Sequence, residues 1–203
     1  MGGRRQRPPH NKRNSAVRIA GVLLVLGLVL PADAQHLGAG RHEDFSKSLA
    51  PYVPSPKLIV NKMLDVSRIQ PGETLYDLGC GDGRILIAAV EEKKAKAVGV
   101  ELSPRLASQA RENIERRNLG EAARVIEGNA LEVDVSPADV VTLYLLTSSN
   151  DKLRPILERQ LKPGARVVSH DFEVRGWAPS KVEKVEAHGR VHTIYLYEMP
   201  PKR

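Results

Sequence analysis

Residues 75–84 read Leu-Tyr-Asp-Leu-Gly-Cys-Gly-Asp-Gly-Arg: an apolar run that turns into three glycines at alternate positions, Gly79, Gly81 and Gly83, with an acid, Asp77, ahead of them. Glycine gives up side-chain packing and backbone entropy, so a loop this rich in it after a strand keeps its backbone bare for a ligand. Pyrophosphate is the first ligand to test. The dinucleotide fingerprint G-x-G-x-x-G/A needs Gly or Ala at position 84, where this chain has Arg84, and no Gly-Lys-Ser/Thr follows as a P-loop would need. An acid beside the loop repels phosphate and suits an ammonium or a sulfonium. A second acid, Glu101, closes another apolar run 18 residues after Gly83, where a carboxylate can accept both hydroxyls of a ribose.

These parts describe a nucleoside without pyrophosphate. S-adenosylmethionine carries all of them: ribose, adenine, an α-amino group and a sulfonium. The elements that must hold such a site follow from the pattern of the chain. Ser55 caps and Pro56 opens a helix carrying Leu58, Ile59, Met63, Leu64 and Val66 at helical spacing. The runs TLYDL, AVGVEL, ARVIEG, ADVVTLYLL and ARVVSHDF read as five strands, with helices between several of them. Helix is expected over RILIAAVEEKK, over SPRLASQARENIERRN and over NDKLRPILERQ, the last with Pro155 in its first turn or two. KVEKVEA and RVHTIYLYEM alternate across His188-Gly189 and form a β-hairpin. Strands alternating with helices predict a mostly parallel sheet covered on both faces, closed here by an antiparallel edge.

From Tyr52 to Met199 the chain resembles the class I, seven-stranded S-adenosylmethionine-dependent methyltransferases, through the glycine loop, Glu101, the LKPG before strand five and the terminal hairpin in that order. Within that class, PYVPSP, VVTLYLL and KPGARVVSHDF are similar to the small family related to the mitochondrial lysine methyltransferases of ATP synthase c-subunit and adenine nucleotide translocase. The resemblance implies an α/β, Rossmann-like doubly wound, mostly parallel seven-stranded sheet with a C-terminal antiparallel β-hairpin, and S-adenosyl-L-methionine as cofactor. Carried over by position, it implies that Asp77, Gly79 and Gly81 line the methionine end while Gly83 lets the helix start close by, with Cys80 also among the cofactor-binding residues. Glu101 and Leu102 would hold the ribose side, Asn129 and Ala130 the adenine side, and Tyr52 and Ser55 would close over the cofactor. Asn129 stands where many relatives have an aspartate, and its amide oxygen can accept the same bond. The acceptor end falls at strands four and five, with Tyr144, His170 and Asp171 as candidate catalytic residues, the last two able to orient an amine. A protein lysine or other amine is the implied acceptor. A small-molecule acceptor and a non-catalytic S-adenosylmethionine-binding module are the alternatives.

Charge separates the chain into two parts. Of the formal net charge of +7, residues 1–34 carry +5, which leaves the rest nearly neutral. No phosphate-tracking surface follows from that balance, and with no Asn/Asp-Pro-Pro-Tyr loop after strand four, nucleic acid is not expected as a partner. The basic stretch is followed by an apolar run, Ile19 to Leu30, then Pro31 and Ala32-Asp33-Ala34. That pattern reads first as a cleaved export signal over residues 1–34 and second as an N-terminal membrane anchor through residues 19–30, with a mitochondrial-type presequence third. Residues 35–54 read as a linker and 55–203 as the catalytic domain. An exported or membrane-anchored location stands in tension with a cofactor made in the cytoplasm. Cys80 is the single cysteine, so no intramolecular disulfide forms, and His188 and His192 beside the hairpin turn lack a third ligand, so no metal site is expected.

Overall fold

The computed structural model describes residues 49–201. The signal or anchor segment over 1–34 and most of the 35–54 linker lie outside the described residues. Within them the chain runs α1 (Lys57–Ser67), β1 (Thr74–Leu78), α2 (Arg84–Lys93), β2 (Lys96–Glu101), α3 (Pro104–Glu115), β3 (Ala123–Glu127), β4 (Val140–Leu143), α4 (Thr147–Gln160), β5 (Arg166–His170), β6 (Lys181–Ala187) and β7 (Arg190–Glu198). The strands form one sheet in the order β3-β2-β1-β4-β5-β7-β6. The first five are parallel, and β7 runs antiparallel to both β5 and β6. The order reverses between β1 and β4, and in open α/β sheets a ligand binds beyond the carboxyl ends of the strands at such a switch point.

Alternation along the strands sorts side chains onto two faces. Leu75, Val140 and Val168 join Ile59, Met63 and Leu64 of α1 and Leu86 of α2 on one face. Tyr76, Leu78, Val141, Leu143 and Val167 join Leu153 and Leu157 of α4, with Trp177 and Tyr197, on the other. The β6–β7 hairpin turns through His188 and Gly189, both with positive φ, which keeps the right-handed twist of the pair. Among the described residues, no helix is long and apolar enough to cross a membrane.

Two local expectations are corrected. Ser55 does not cap α1: the helix starts after Pro56 with no side-chain cap, because the Ser55 hydroxyl is drawn to a histidine across the sheet. Helix α4 begins at Thr147, so Pro155 falls inside it rather than in the opening turns. The polar start is helical because tertiary contacts hold it. Ser149 Oγ donates to the Leu49 carbonyl, and Asn150 Nδ2 reaches the carbonyls of Phe172 and Glu173 at 3.1 and 3.2 Å.

Candidate active site

Asp77 sits near the carboxyl end of β1, on the face covered by α1 and α2, paired in register with Thr142 of β4. Its Oδ1 accepts from Thr142 Oγ1 at 2.8 Å. Burial pushes the carboxyl up to about 7; the Thr142 bond opposes this, and Glu101 and Asp82 add to it. A buried carboxylate raised this far, with acids around it, is a place prepared for a cation.

The glycine loop folds back on β2. Gly79 and Cys80 both donate backbone N–H groups to the Val100 carbonyl, at 2.8 and 3.0 Å. The Cys80 thiol turns into the core, where a Cβ on Gly99 would lie 2.5 Å from its sulfur, and burial pushes its ionisation out of reach. Cys80 therefore offers a ligand no reactive sulfur. Gly83 precedes α2 in the left-handed region, and a Cβ there would meet Ala110 of α3 at 3.2 Å, so its bareness lets two helices close on each other. Gly81 serves the loop's open side: a Cβ would lie 2.4 Å from the Tyr52 ring.

Glu101 ties these parts together. Its Oε2 accepts from the Gly81 N–H at 2.8 Å and its Oε1 from the Ser103 N–H at 2.9 Å. One buried carboxylate thus sets the loop against the end of β2, and each oxygen keeps a second lone pair for a hydroxyl. Leu102 is half-buried beside it, and Ala130 is buried after β3. Asn129 is more committed than expected: its Oδ1 accepts from the Leu131 N–H at 3.0 Å and its Nδ2 donates to Glu132 at 2.9 Å. Such a turn holds the Asn129 oxygen in place with one lone pair already engaged.

Arg84, which broke the dinucleotide fingerprint, has a role that the motif did not reveal. Its Nε and Nη2 grip Asp82 at 2.9 and 2.6 Å, and its Nη1 donates to the Ser55 carbonyl at 2.8 Å. The Tyr52 hydroxyl feels the same Asp82–Arg84 pair: burial, then the Asp82 charge, raises it above the ordinary tyrosine value. Residues 52–55 are in this way strapped over the loop. Arg84→Ala is expected to loosen the strap, so that limited proteolysis near Tyr52 speeds up severalfold while the far-ultraviolet dichroism stays unchanged; equal cleavage rates would show that Arg84 does not hold it.

The second cluster lies at the ends of β4 and β5. Tyr144 stacks on His170 with ring centroids 3.8 Å apart. His170 is fully buried, so it acts on an acceptor only through its neighbours: its Nδ1 meets Ser55 Oγ at 3.1 Å and its Nε2 meets His192 Nδ1 at 2.8 Å. Burial pushes its pKa down to about 4, against the pull of Asp171. Asp171 has a positive φ of 59°, a strained setting for a non-glycine residue, and its Oδ1 accepts from the Thr193 N–H at 2.9 Å. Burial works to raise its carboxyl, but the Thr193 N–H and the adjacent histidines outweigh it and hold it low. His192 is not isolated as expected. Antiparallel pairing of β5 with β7 delivers it to His170 and Asp171, and the possible ligand atoms of the three lie within 4.8 Å of one another. The guanidinium of Arg190 lies on the other Asp171 oxygen, Oδ2.

Fold and site together define a Rossmann-like, S-adenosylmethionine-dependent methyltransferase. Residues 77–181 match the model of the ANTKMT methyltransferase domain, and the chain belongs to that family. It is 49% identical over 148 residues to a protein-lysine N-methyltransferase of Saccharolobus islandicus (strain REY15A), covering 72% of this chain and 92% of that protein. It is 31% identical over 160 residues to the adenine nucleotide translocase lysine N-methyltransferase of Mus musculus, covering 75% of this chain and 69% of that one. Among solved structures, it is similar to a Salinibacter ruber protein described as an RNA methyltransferase, in complex with S-adenosyl-L-homocysteine. The TM-score is 0.69 with 44% identity over 74% of this chain and 96% of that one. The cofactor is S-adenosyl-L-methionine, and the residues present fit it: a buried acid for the cationic end, a bare loop, and a carboxylate at the end of β2 with a lone pair left on each oxygen.

Proposed function

We propose that the chain methylates the side-chain amine of a lysine in a protein. The observation that carries this reading is the acceptor end. Asp171, held ionised, stands beside Tyr144 at the carboxyl ends of β4 and β5, next to the glycine loop. An anionic place with an aromatic wall suits an ammonium and repels a phosphate backbone. The lysine methyltransferases among its relatives support the same acceptor.

Bound S-adenosylmethionine supplies an electrophilic methyl group. Asp77 would hold its cationic end, Gly79 and Gly81 would admit it to the backbone, and Glu101 would take the ribose hydroxyls. Tyr52 and Ser55 would close the loop from above, and Asn129 with Ala130 would border the adenine. On the acceptor side, Asp171 steers the ammonium, which gives its proton to water before its lone pair is used. His170, held between Ser55 and His192, positions Asp171 rather than touching the acceptor. In-line transfer draws most of its rate from such positioning, so no dedicated base is needed.

Incubating the protein with methyl-labelled S-adenosylmethionine and, separately, a protein extract, purified RNA and free amines tests this. Label recovered as methyl-lysine after acid hydrolysis of the extract is the expected result; label on RNA alone would overturn it, and label on free amines alone would favour a small-molecule acceptor.

For location, we propose that residues 1–34 export or tether the domain, on the strength of the basic start, the 19–30 apolar run and the Ala32-x-Ala34 site. Intact mass is expected to show a mature chain beginning near Gln35, or a full-length chain in the membrane fraction. Residues 1–34 retained on a soluble cytoplasmic protein would refute both.

A further inference from the structure

Asp171 and its partner cation are built very differently. The carboxylate is fixed from several sides. Its Oδ1 takes the Thr193 N–H at 2.9 Å, its own N–H donates to the Thr193 carbonyl at 2.7 Å, and its Oδ2 lies 3.1 Å from His192 Nδ1 and 3.4 Å from His170 Nε2. The side chains of both histidines are at most 4% exposed. The cation on that oxygen is Arg190, whose side chain is 57% exposed at the first position of β7. Arg190 also lies 3.3 Å from His192 Nδ1, and against the burial that raises the Tyr144 hydroxyl its charge works to lower it.

A fixed anion paired with an exposed cation has the form of a binding site with an exchangeable occupant. His170 is neutral near pH 7 because burial disfavours its charge, which leaves Arg190 as the full cation on Asp171 Oδ2. Arg190 reaches that oxygen from a long side chain that is itself more than half exposed, so water solvates the guanidinium when it leaves.

We propose that Arg190 is a resident stand-in for the acceptor: Asp171 Oδ2 and the Tyr144 hydroxyl form a subsite for an alkylammonium, the lysine side-chain head, and Arg190 must swing out for it to enter. This rests on the lysine reading above. Arg190 thereby sets a threshold. An acceptor that presents its ammonium well displaces the guanidinium, and a poorly placed amine does not. His192, outside the expected site, becomes a positioning residue that fixes the Asp171 oxygen on which both cations compete.

The test uses n-butylammonium, the lysine side chain alone, titrated into the full chain with S-adenosylhomocysteine and EDTA present, the EDTA keeping a metal off His170, Asp171 and His192. Binding is read from the imidazole proton resonances of His170 and His192. Arg190→Ala is expected to bind the probe roughly fivefold more tightly than wild type, or better, because the competing occupant is gone. Arg175→Ala removes an equally exposed arginine from its pair with Asp151 and is expected to match wild type. Adding Asp171→Asn to Arg190→Ala should abolish the gain. Should that double variant not fold, Tyr144→Phe in its place is expected to reduce it. Equal affinity in wild type and Arg190→Ala, or a gain that survives loss of the Asp171 charge, would overturn the proposal. The labelled-acceptor assay keeps the two readings apart: label on RNA alone would strike the lysine reading and leave the ammonium result standing, while equal affinities in this titration would strike the stand-in alone.

Discussion

Glu101→Ala is expected to weaken S-adenosylmethionine binding by at least about tenfold and up to several hundredfold, because a hydrogen bond to a charged acceptor is worth about 1.5–3 kcal/mol and two are lost. The loss has a second source. The same carboxylate holds the N–H groups of Gly81 and Ser103, so its removal also releases the loop from the end of β2. Glu101→Gln should fall between, keeping one acceptor oxygen and losing the charge. Glu92→Ala, on the exposed tail of α2, is the matched control and should bind as wild type does. Because an orphaned buried N–H costs about 1–3 kcal/mol, circular dichroism and a melting curve must first show each variant folded. Titration calorimetry then decides, and equal affinities for Glu101→Ala and wild type would mean that the ribose is held elsewhere.

Much of this frame is legible without coordinates, for local reasons. β1, β2 and the β6–β7 hairpin announce themselves by short apolar or alternating runs bounded by turn residues, and Asp77, Gly81 and Glu101 stand at their ends. What stays hidden depends on long-range pairing. Ser55 and His170 meet across 115 positions, so a residue with every local mark of a helix cap is spent on a histidine instead. Thr147-Ser148-Ser149 reads as loop because its helical state is fixed from outside, by Leu49 and the turn after β5. Arg84 looked like a defect in one motif, while its function as a clamp on residues 52–55 appears only when the strap is in place. His192 and Arg190 have no motif at all. Their meeting with Asp171 follows from the β5–β7 register, in which His170 faces Ile194, and that register is not written in either strand alone.

The strongest pH effect is expected from Asp77. Its carboxyl is raised from 3.8 to about 7 in the fold, chiefly by burial, so the folded protein holds this proton more tightly than the unfolded chain does. The sign follows by linkage: the stabilisation is fully present below pH 3.8 and is lost as pH rises through about 7. At full strength that gap corresponds to roughly 4 kcal/mol. Asp77→Asn keeps an oxygen for the Thr142 hydroxyl and removes the titration, so without cofactor it should melt several degrees above wild type at pH 8 and close to it at pH 4 (an order-of-magnitude shift). Binding should run the other way. A cationic ligand favours the ionised carboxylate, so wild-type affinity for S-adenosylmethionine is expected to rise between about pH 6 and pH 8 with a proton released on binding. In Asp77→Asn the profile should be flat and the affinity at pH 8 at least about tenfold lower. Melting curves and calorimetry across that range measure both halves. A variant no more stable than wild type at pH 8, together with unchanged affinity, would show that Asp77 neither strains the empty fold nor meets the cofactor's charge.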